Sequence, residues 1–235
     1  LEQQRQMTIK AANVTLYYEY QGTPYVINLI DTPGHIDFTG KVTRSLRAVD
    51  GCIVVVDSVE GVMTQTETVS HQALDERVRP VLYINKIDRL IKELRLNPDQ
   101  MQTWLSKIVA EFNGLIETYA EPEYKQKWKV SIQGGQVAFG SSKDTWGFNA
   151  ETARAAGMGF KDVYDAYTSG HPETLKEKLF LHEALLSMVV KHHPPPHHAQ
   201  VYRIPKIWHG DLESPVGKAL VACDDSGPPV MMVTA

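Results

Sequence analysis

"RPVLYINKID", Arg79 to Asp88, is the stretch on which the fold turns. Its first part is apolar almost without a break, the pattern of a strand covered by helices on both faces, and its last residues end that strand in polar chemistry. Three more runs of this kind, "YVINLID" (25–31), "GCIVVVDS" (51–58) and "QVAFGSS" (136–142), also end on Asp or Ser. Between them lie segments with helical spacing. One is "TQTETVSHQALDER" (64–77); another is 99–118, where Met101, Leu105, Ile108, Phe112 and Leu115 recur every three or four residues behind an Asn97 cap and Pro98. Strand alternating with helix predicts an α/β fold, a doubly wound and mostly parallel sheet whose ligands sit at the carboxyl ends of the strands. "NVTLYYEYQGTPYVINLI" (13–30) predicts two antiparallel strands about a Gly-Thr-Pro turn, adding an edge to that sheet.

The 235 residues are 43% hydrophobic and 22% charged, with a net charge of −4, so bulk electrostatics pull toward neither nucleic acid nor an anionic membrane. No run reaches the ~20 apolar residues that span a bilayer, and the polar start "LEQQRQMTIK" has no signal-peptide layout. A cytoplasmic protein with no membrane partner is expected, with Cys52 and Cys223 as buried thiols of a reducing compartment. From about 150 to 193 the composition is helical, with Leu181, Leu185, Met188 and Val189 on one face, and "PPP" (194–196) ends that stretch. "HHPPPHH" (192–198) reads as a solvated linker rather than a metal site, because the prolines hold the histidine pairs apart. Beyond it "VYRIPKIW", "GKALVACD" and "PPVMMVTA" read as strands opening a β-barrel.

Three segments carry chemistry. In "NKID" the Asp88 carboxylate can accept two hydrogen bonds from the N1–H and 2-amino group of guanine, a donor pair adenine lacks. Asn85 would tie that loop to its neighbours, and the Lys86 stem would lie across the base with its ammonium toward the sugar. In "DTPGH", Asp31 could hold Mg²⁺ through water and the Gly34 N–H could donate to a terminal phosphate, leaving His35 toward an attacking water; Asp-Thr-Pro-Gly as a plain turn is the alternative. In "GSSKD", Ser141 and Ser142 could close over the base oxygen and steady the Asp88 loop. The three follow one another at separations of about fifty and fifty-five residues, each at a strand end.

With these motifs, "RQMTIKAANVTLYYEYQGTPYVINLIDTPGHIDFTGKVTRSLRAVDGCIVVVDSVEGVMTQTETV" and "YRIPKIWHGDLESPVGKAL" resemble the elongation factor 2 family of translational GTPases in its archaeal/eukaryotic form. The resemblance runs through nearly the whole chain. It implies a P-loop-GTPase-type domain over 1–193, a Pro/His linker at 194–199 and the beginning of a second, β-barrel domain at 200–235. It implies GTP or GDP and Mg²⁺ as ligands, Mg²⁺ being held by Thr8 and, through water, by Asp31. Thr32, Pro33 and Gly34 would line the phosphates, and His35 would be the catalytic residue that positions the water. Asn85, Lys86, Ile87 and Asp88 would read guanine, supported by Ser141 and Ser142. Where the family has Gly two residues before that Thr, this chain has Gln6. The implied function is a ribosome-dependent GTPase promoting translocation, a monomer that meets ribosomal RNA and ribosomal proteins.

One family element is missing from the sequence. No Gly-x-x-x-x-Gly-Lys-Ser/Thr segment occurs: "GHIDFTGK" has five residues between its glycines and Val42 after the Lys, and "GDLESPVGKA" has six and an Ala. An N-terminally truncated chain, which Leu1 fits, is one expectation; a shortened paralogue acting as a non-hydrolysing ribosome- or protein-binding module is the other. Either way the chain itself is expected to bind GTP weakly or not at all, and the sheet to lack its first strand.

Overall fold

The structure, a computed structural model, describes residues 12–32 and 39–231. Its main sheet has four strands in the order β3 (Gly51–Asp57), β4 (Arg79–Asn85), β5 (Val137–Ser141) and β6 (Trp146–Asn149). The first three are mutually parallel and β6 runs antiparallel to β5. The register pairs Asp57 with Asn85, so the polar ends of β3 and β4 reach the same edge.

β4 shows why the apolar run is unbroken. Its side chains alternate between faces, and both faces are covered. Leu82 and Ile84 pack with Met101, Leu105, Ile108, Phe112 and Ile116 of α4 (Pro98–Tyr119). Val81 and Tyr83 pack with Met188, Leu181 and Leu185 of α8 (Leu181–His192). Each such burial contributes roughly 1.5–3 kcal/mol, which makes β4 the spine of the domain. The start of α4 is fixed by a reciprocal cap. Gln100 N donates to Asn97 Oδ1 at 2.9 Å, Asn97 N donates to Gln100 Oε1 at 3.0 Å, and Pro98 takes the first helical position.

α1 (Thr39–Ala48) and α2 (Thr64–Asp75) form a satellite core through Val42, Leu46 and Ala73 with Val78. Between β4 and α4 lies the short α3 (Ile87–Lys92), and α5 (Pro122–Lys125) follows α4. The stretch read as helical from 150 to 193 is α6 (Ala150–Ala156), α7 (Phe160–Thr168), a 3-10 turn at Pro172–Glu177 and α8.

The hairpin differs from expectation. β1 (Ala12–Tyr20) and β2 (Thr23–Asp31) pair with each other along their whole length but form a separate two-stranded sheet, not an edge of the main one. The turn falls at Gln21–Gly22, both at positive φ (51° and 75°), the two-residue geometry whose twist suits a hairpin, while Thr23 and Pro24 belong to β2. Side chains, not ladder hydrogen bonds, join the hairpin to the rest: Tyr18 Oη donates to Glu183 of α8 at 2.7 Å and Tyr20 Oη to Glu151 of α6 at 2.8 Å.

The expected barrel strands are also corrected. "VYRIPKIW" lies in α9 (Pro196–Ile207) and "GKALVACD" mostly in α10 (Pro215–Ala222). Their β-branched content suggested strands, but tertiary burial overrides that weak preference. Ala199, Arg203 and Ile204, at spacings of four and one, turn to the same buried side of a helix. Pro196 and Pro215 sit at helix starts where no N–H is needed, and Ser214 Oγ accepts from Gly217 N at 3.0 Å as the α10 cap. No strand occurs at 228–231, and 232–235 lie outside the described residues. Nor is 194–199 extended throughout: α8 does end before the prolines and Pro195 to His198 are exposed, but Pro196 opens α9 and Ala199 is fully buried. His192 is buried with it. Both cysteines are free; Cys52 packs against the core and burial pushes its thiol up to about 12, as expected of a buried thiol, whereas Cys223 is half-buried.

Candidate functional site

The carboxyl end of β4 builds the site. Asn85 ends the strand, Lys86 takes a left-handed conformation (φ 62°, ψ 36°), and α3 starts at once. That conformation costs roughly 1 kcal/mol for a residue with a Cβ, so neighbours must hold it. Three hydrogen bonds do: Lys86 N to Asn85 Oδ1 at 2.8 Å, Ser58 Oγ to Lys86 O at 2.7 Å, and Ser58 N to Asn85 O at 2.9 Å. Ser58 is itself fixed by Trp104, whose Nε1 donates to Ser58 O at 2.7 Å. The Lys86 ammonium does not point free toward a sugar; it pairs with Asp57 Oδ2 at 2.9 Å, beside Arg89 Nη1 at 2.7 Å from the same oxygen. Burial resists ionisation of Asp57, but the hydrogen bonds from Lys86 and Val59 N outweigh it and hold the carboxyl below the usual range.

Asn85 Oδ1 also accepts from Ser142 N at 2.9 Å, so one carboxamide oxygen laces the "NKID" loop to the turn after β5. Tyr83 Oη donates to the same oxygen at 3.3 Å and lies 3.2 Å from Ser142 Oγ. Burial pushes the Tyr83 phenol up to about 12, which keeps it a neutral donor. Ser141 is fully buried, its Oγ accepting from Asp144 N at 3.3 Å. This turn needs Gly140: a Cβ there would stand 2.4 Å from Trp146 O and 2.9 Å from Tyr83 Oη.

Asp88, in the first turn of α3, is 6% exposed. Among the described residues no donor makes a hydrogen bond to its carboxylate; its ion-pair partner is Lys92 Nζ at 3.7 Å. A carboxylate that no neighbouring donor occupies has two acceptors to offer the two-donor edge of guanine. Ile87, with no exposed surface, pins α3 to the core beside it.

The structure thus gathers Asn85, Lys86, Ile87, Asp88, Ser141 and Ser142. It does not join Asp31 or Thr32 to them: among the described residues no hydrogen bond or ion pair links the end of β2 to this cluster, and Asp31 is exposed. Thr8, Pro33, Gly34 and His35, like Gln6, lie outside the described residues. No group of three or more His, Cys, Asp or Glu among the described residues is arranged to hold a metal. The exposed Asp31 carboxylate, with no ion-pair partner among the described residues, fits a ligand to hydrated Mg²⁺ but is a single donor. Sequence reasoning assigned no role to Asp57, Ser58, Tyr83, Lys92, Asp144 or Tyr167; of these Asp57 and Ser58 carried a signal as the polar end of an apolar run, and Asp144 as the last residue of "GSSKD".

Among the described residues no helix is long and apolar enough to cross a membrane. The sequence profile of the elongation factor Tu GTP-binding domain matches residues 1–195. The chain is 62% identical over 232 residues to elongation factor 2 of Cenarchaeum symbiosum, covering 99% of this chain and 32% of that protein. It is 58% identical over 234 residues to elongation factor 2 of Pyrobaculum arsenaticum and 57% over 237 residues to that of Sulfurisphaera tokodaii, each covering 100% of this chain and 32% of the relative. The chain therefore spans about a third of the length of these curated relatives.

Proposed function

This chain belongs to the elongation factor Tu GTP-binding domain family, and from that premise we propose that it is the guanine-nucleotide-binding part of a ribosome-dependent GTPase that promotes the translocation step of protein synthesis. The observation that supports the reading is the double use of Asn85 Oδ1, which accepts from the Lys86 and Ser142 amides and so ties the loop that leads into Asp88 to the Ser141–Ser142 turn. Asp88 would accept from N1–H and the 2-amino group of guanine, and the Ser142 turn would face its O6.

Hydrolysis would occur at the other end of the nucleotide. His35 would orient a water so that its oxygen attacks the γ-phosphorus, the bond to the bridging oxygen breaks, GDP leaves and the water's proton passes to phosphate or solvent. Thr8 and, through water, Asp31 would hold Mg²⁺, whose charge offsets that of the phosphates. The family relation and the identity to elongation factor 2 support a ribosomal partner and a cytoplasmic location.

The test is Asp88→Asn in the full-length protein. An Asn amide can donate to the 2-oxo group of xanthine but repels the 2-amino group of guanine. GDP affinity should fall at least about a hundredfold while xanthosine diphosphate gains; unchanged GDP binding would remove the base-reading assignment. A second reading is a non-hydrolysing ribosome- or protein-binding module built on the same domain. Ribosome-stimulated release of phosphate from GTP by the full-length protein would exclude it.

A further inference from the structure

Lys92 stands between two carboxylates. Its Nζ is 3.7 Å from Asp88 Oδ2, one helical turn back in α3, and 3.5 Å from Asp144 Oδ2 in the turn between β5 and β6. The same ammonium lies 4.7 Å from the centre of the Tyr167 ring. Asp144 is not a loose surface acid. Tyr167 Oη donates to it at 2.5 Å, and that phenol in turn accepts from Trp146 Nε1 at 2.9 Å, with Trp146 fully buried. Three elements therefore converge on one cation, α3, the β5–β6 turn and α7, with β6 bracing the last through Trp146.

We propose that Lys92 is a positioning residue for guanine selectivity, orienting the Asp88 carboxylate so that both its oxygens meet the base edge. The proposal rests on the base-reading role given to Asp88 above.

The argument is one of geometry and charge. A bidentate contact requires the carboxylate plane to coincide with the base plane, and a carboxylate with no hydrogen-bond donor of its own is free to turn about its last bond. The ammonium on Oδ2 restrains that rotation. It also neutralises Asp144; without it two carboxylates would face one shared space, and repulsion would swing the mobile one, Asp88, since Asp144 is tied by Tyr167. A turned Asp88 keeps one bond, to N1–H, and loses the second, to the 2-amino group. The half-exposed Lys92 head, 49% accessible, leaves little core packing to lose when it is replaced.

The consequence is specific to the base. Guanine uses both bonds; hypoxanthine, which has N1–H but no 2-amino group, uses one. In calorimetric titrations of the full-length protein, Lys92→Met should lower affinity for GDP about tenfold and for inosine diphosphate less than about twofold. Lys92→Arg, which keeps the charge, should restore most of the GDP affinity. A purely structural role would lower both affinities together, or neither, and either result overturns the proposal. Arg failing where Met fails overturns it too. Asp88→Asn in the same series separates the two levels: if that variant, or the wild type, shows no GDP-specific binding to lose, the base-reading assignment falls and the Lys92 role with it. If Asp88→Asn abolishes GDP binding while Lys92→Met leaves the GDP-to-inosine-diphosphate ratio unchanged, the Lys92 role alone is wrong.

Discussion

Ser142 N donates to Asn85 Oδ1 at 2.9 Å across 57 residues of sequence, and the same oxygen takes Lys86 N at 2.8 Å. Asn85→Ala removes the acceptor and leaves two amides and the Tyr83 hydroxyl to find other partners. It should destabilise the protein by about 1–3 kcal/mol in urea unfolding and abolish measurable GDP binding. Asn85→Asp keeps the acceptor and should retain most of the stability.

A second prediction concerns Arg203 of α9, which is 4% exposed. Its Nη2 donates to Leu46 O at 2.7 Å, its Nε to Glu76 O at 3.3 Å, and Nη1 donates to Val49 O. One guanidinium thus satisfies carbonyls at the carboxyl ends of both α1 and α2. Arg203→Met should cost about 2–4 kcal/mol, seen as a fall of roughly 6–12 °C in Tm. Amides in the last turn of α1 should lose hydrogen-exchange protection beyond the global change.

Acid should weaken the fold in a defined window. Burial, with the Arg79 charge as a further cause, lowers both His192 and His193 to about 4, and the Nε2 of each is buried without a hydrogen-bond partner. Both are neutral in the folded chain at pH 5, whereas in the unfolded chain each takes up a proton below about 6.5. The unfolded state then binds more protons, so this stability is fully present above pH 6.5 and is lost as pH falls toward 4. The loss should be on the order of 3 kcal/mol for each histidine, read as a falling urea midpoint. The variant with Asn at both positions should flatten that part of the profile.

The last prediction follows from the missing Gly-x-x-x-x-Gly-Lys-Ser/Thr segment. Charge-assisted bonds to phosphate contribute roughly 1.5–3 kcal/mol each, and the base contacts alone cannot replace several of them. Calorimetry of this 235-residue chain with GDP and Mg²⁺ should therefore show no binding at micromolar concentrations.

How much was legible follows from what each segment must do alone. β4 and β5 were readable because a strand covered on both faces has to be apolar throughout, β3 because its run of branched residues is the same although Val55 stays exposed, and α4 because its cap is local in sequence. α9 was not: what turns "VYRIPKIW" into a helix is Arg203 reaching carbonyls more than 120 residues away, and no local pattern records that. The hairpin strands were legible, but their separation from the main sheet depends on what Tyr18 and Tyr20 find in α8 and α6. In the site, "NKID" and "GSSKD" announced themselves at strand ends, whereas the joining of Asp144, the last residue of the second, to Lys92 and Tyr167 depends on packing that no local pattern records.

The parallel seam between β4 and β5 also sets an order of events in time. Leu82 meets Val137 only after the chain between them has closed into a loop holding α3, α4 and α5. Closing a long loop costs entropy before any contact repays it, so such seams form late, while β1–β2 and the helices can form from neighbours in sequence. Asn85 and Ser142 sit on opposite banks of that seam. Refolding should therefore restore helical circular dichroism before the ability to bind a guanine base, and a newly made chain passes through a stage that is folded in most of its parts and blind to its ligand.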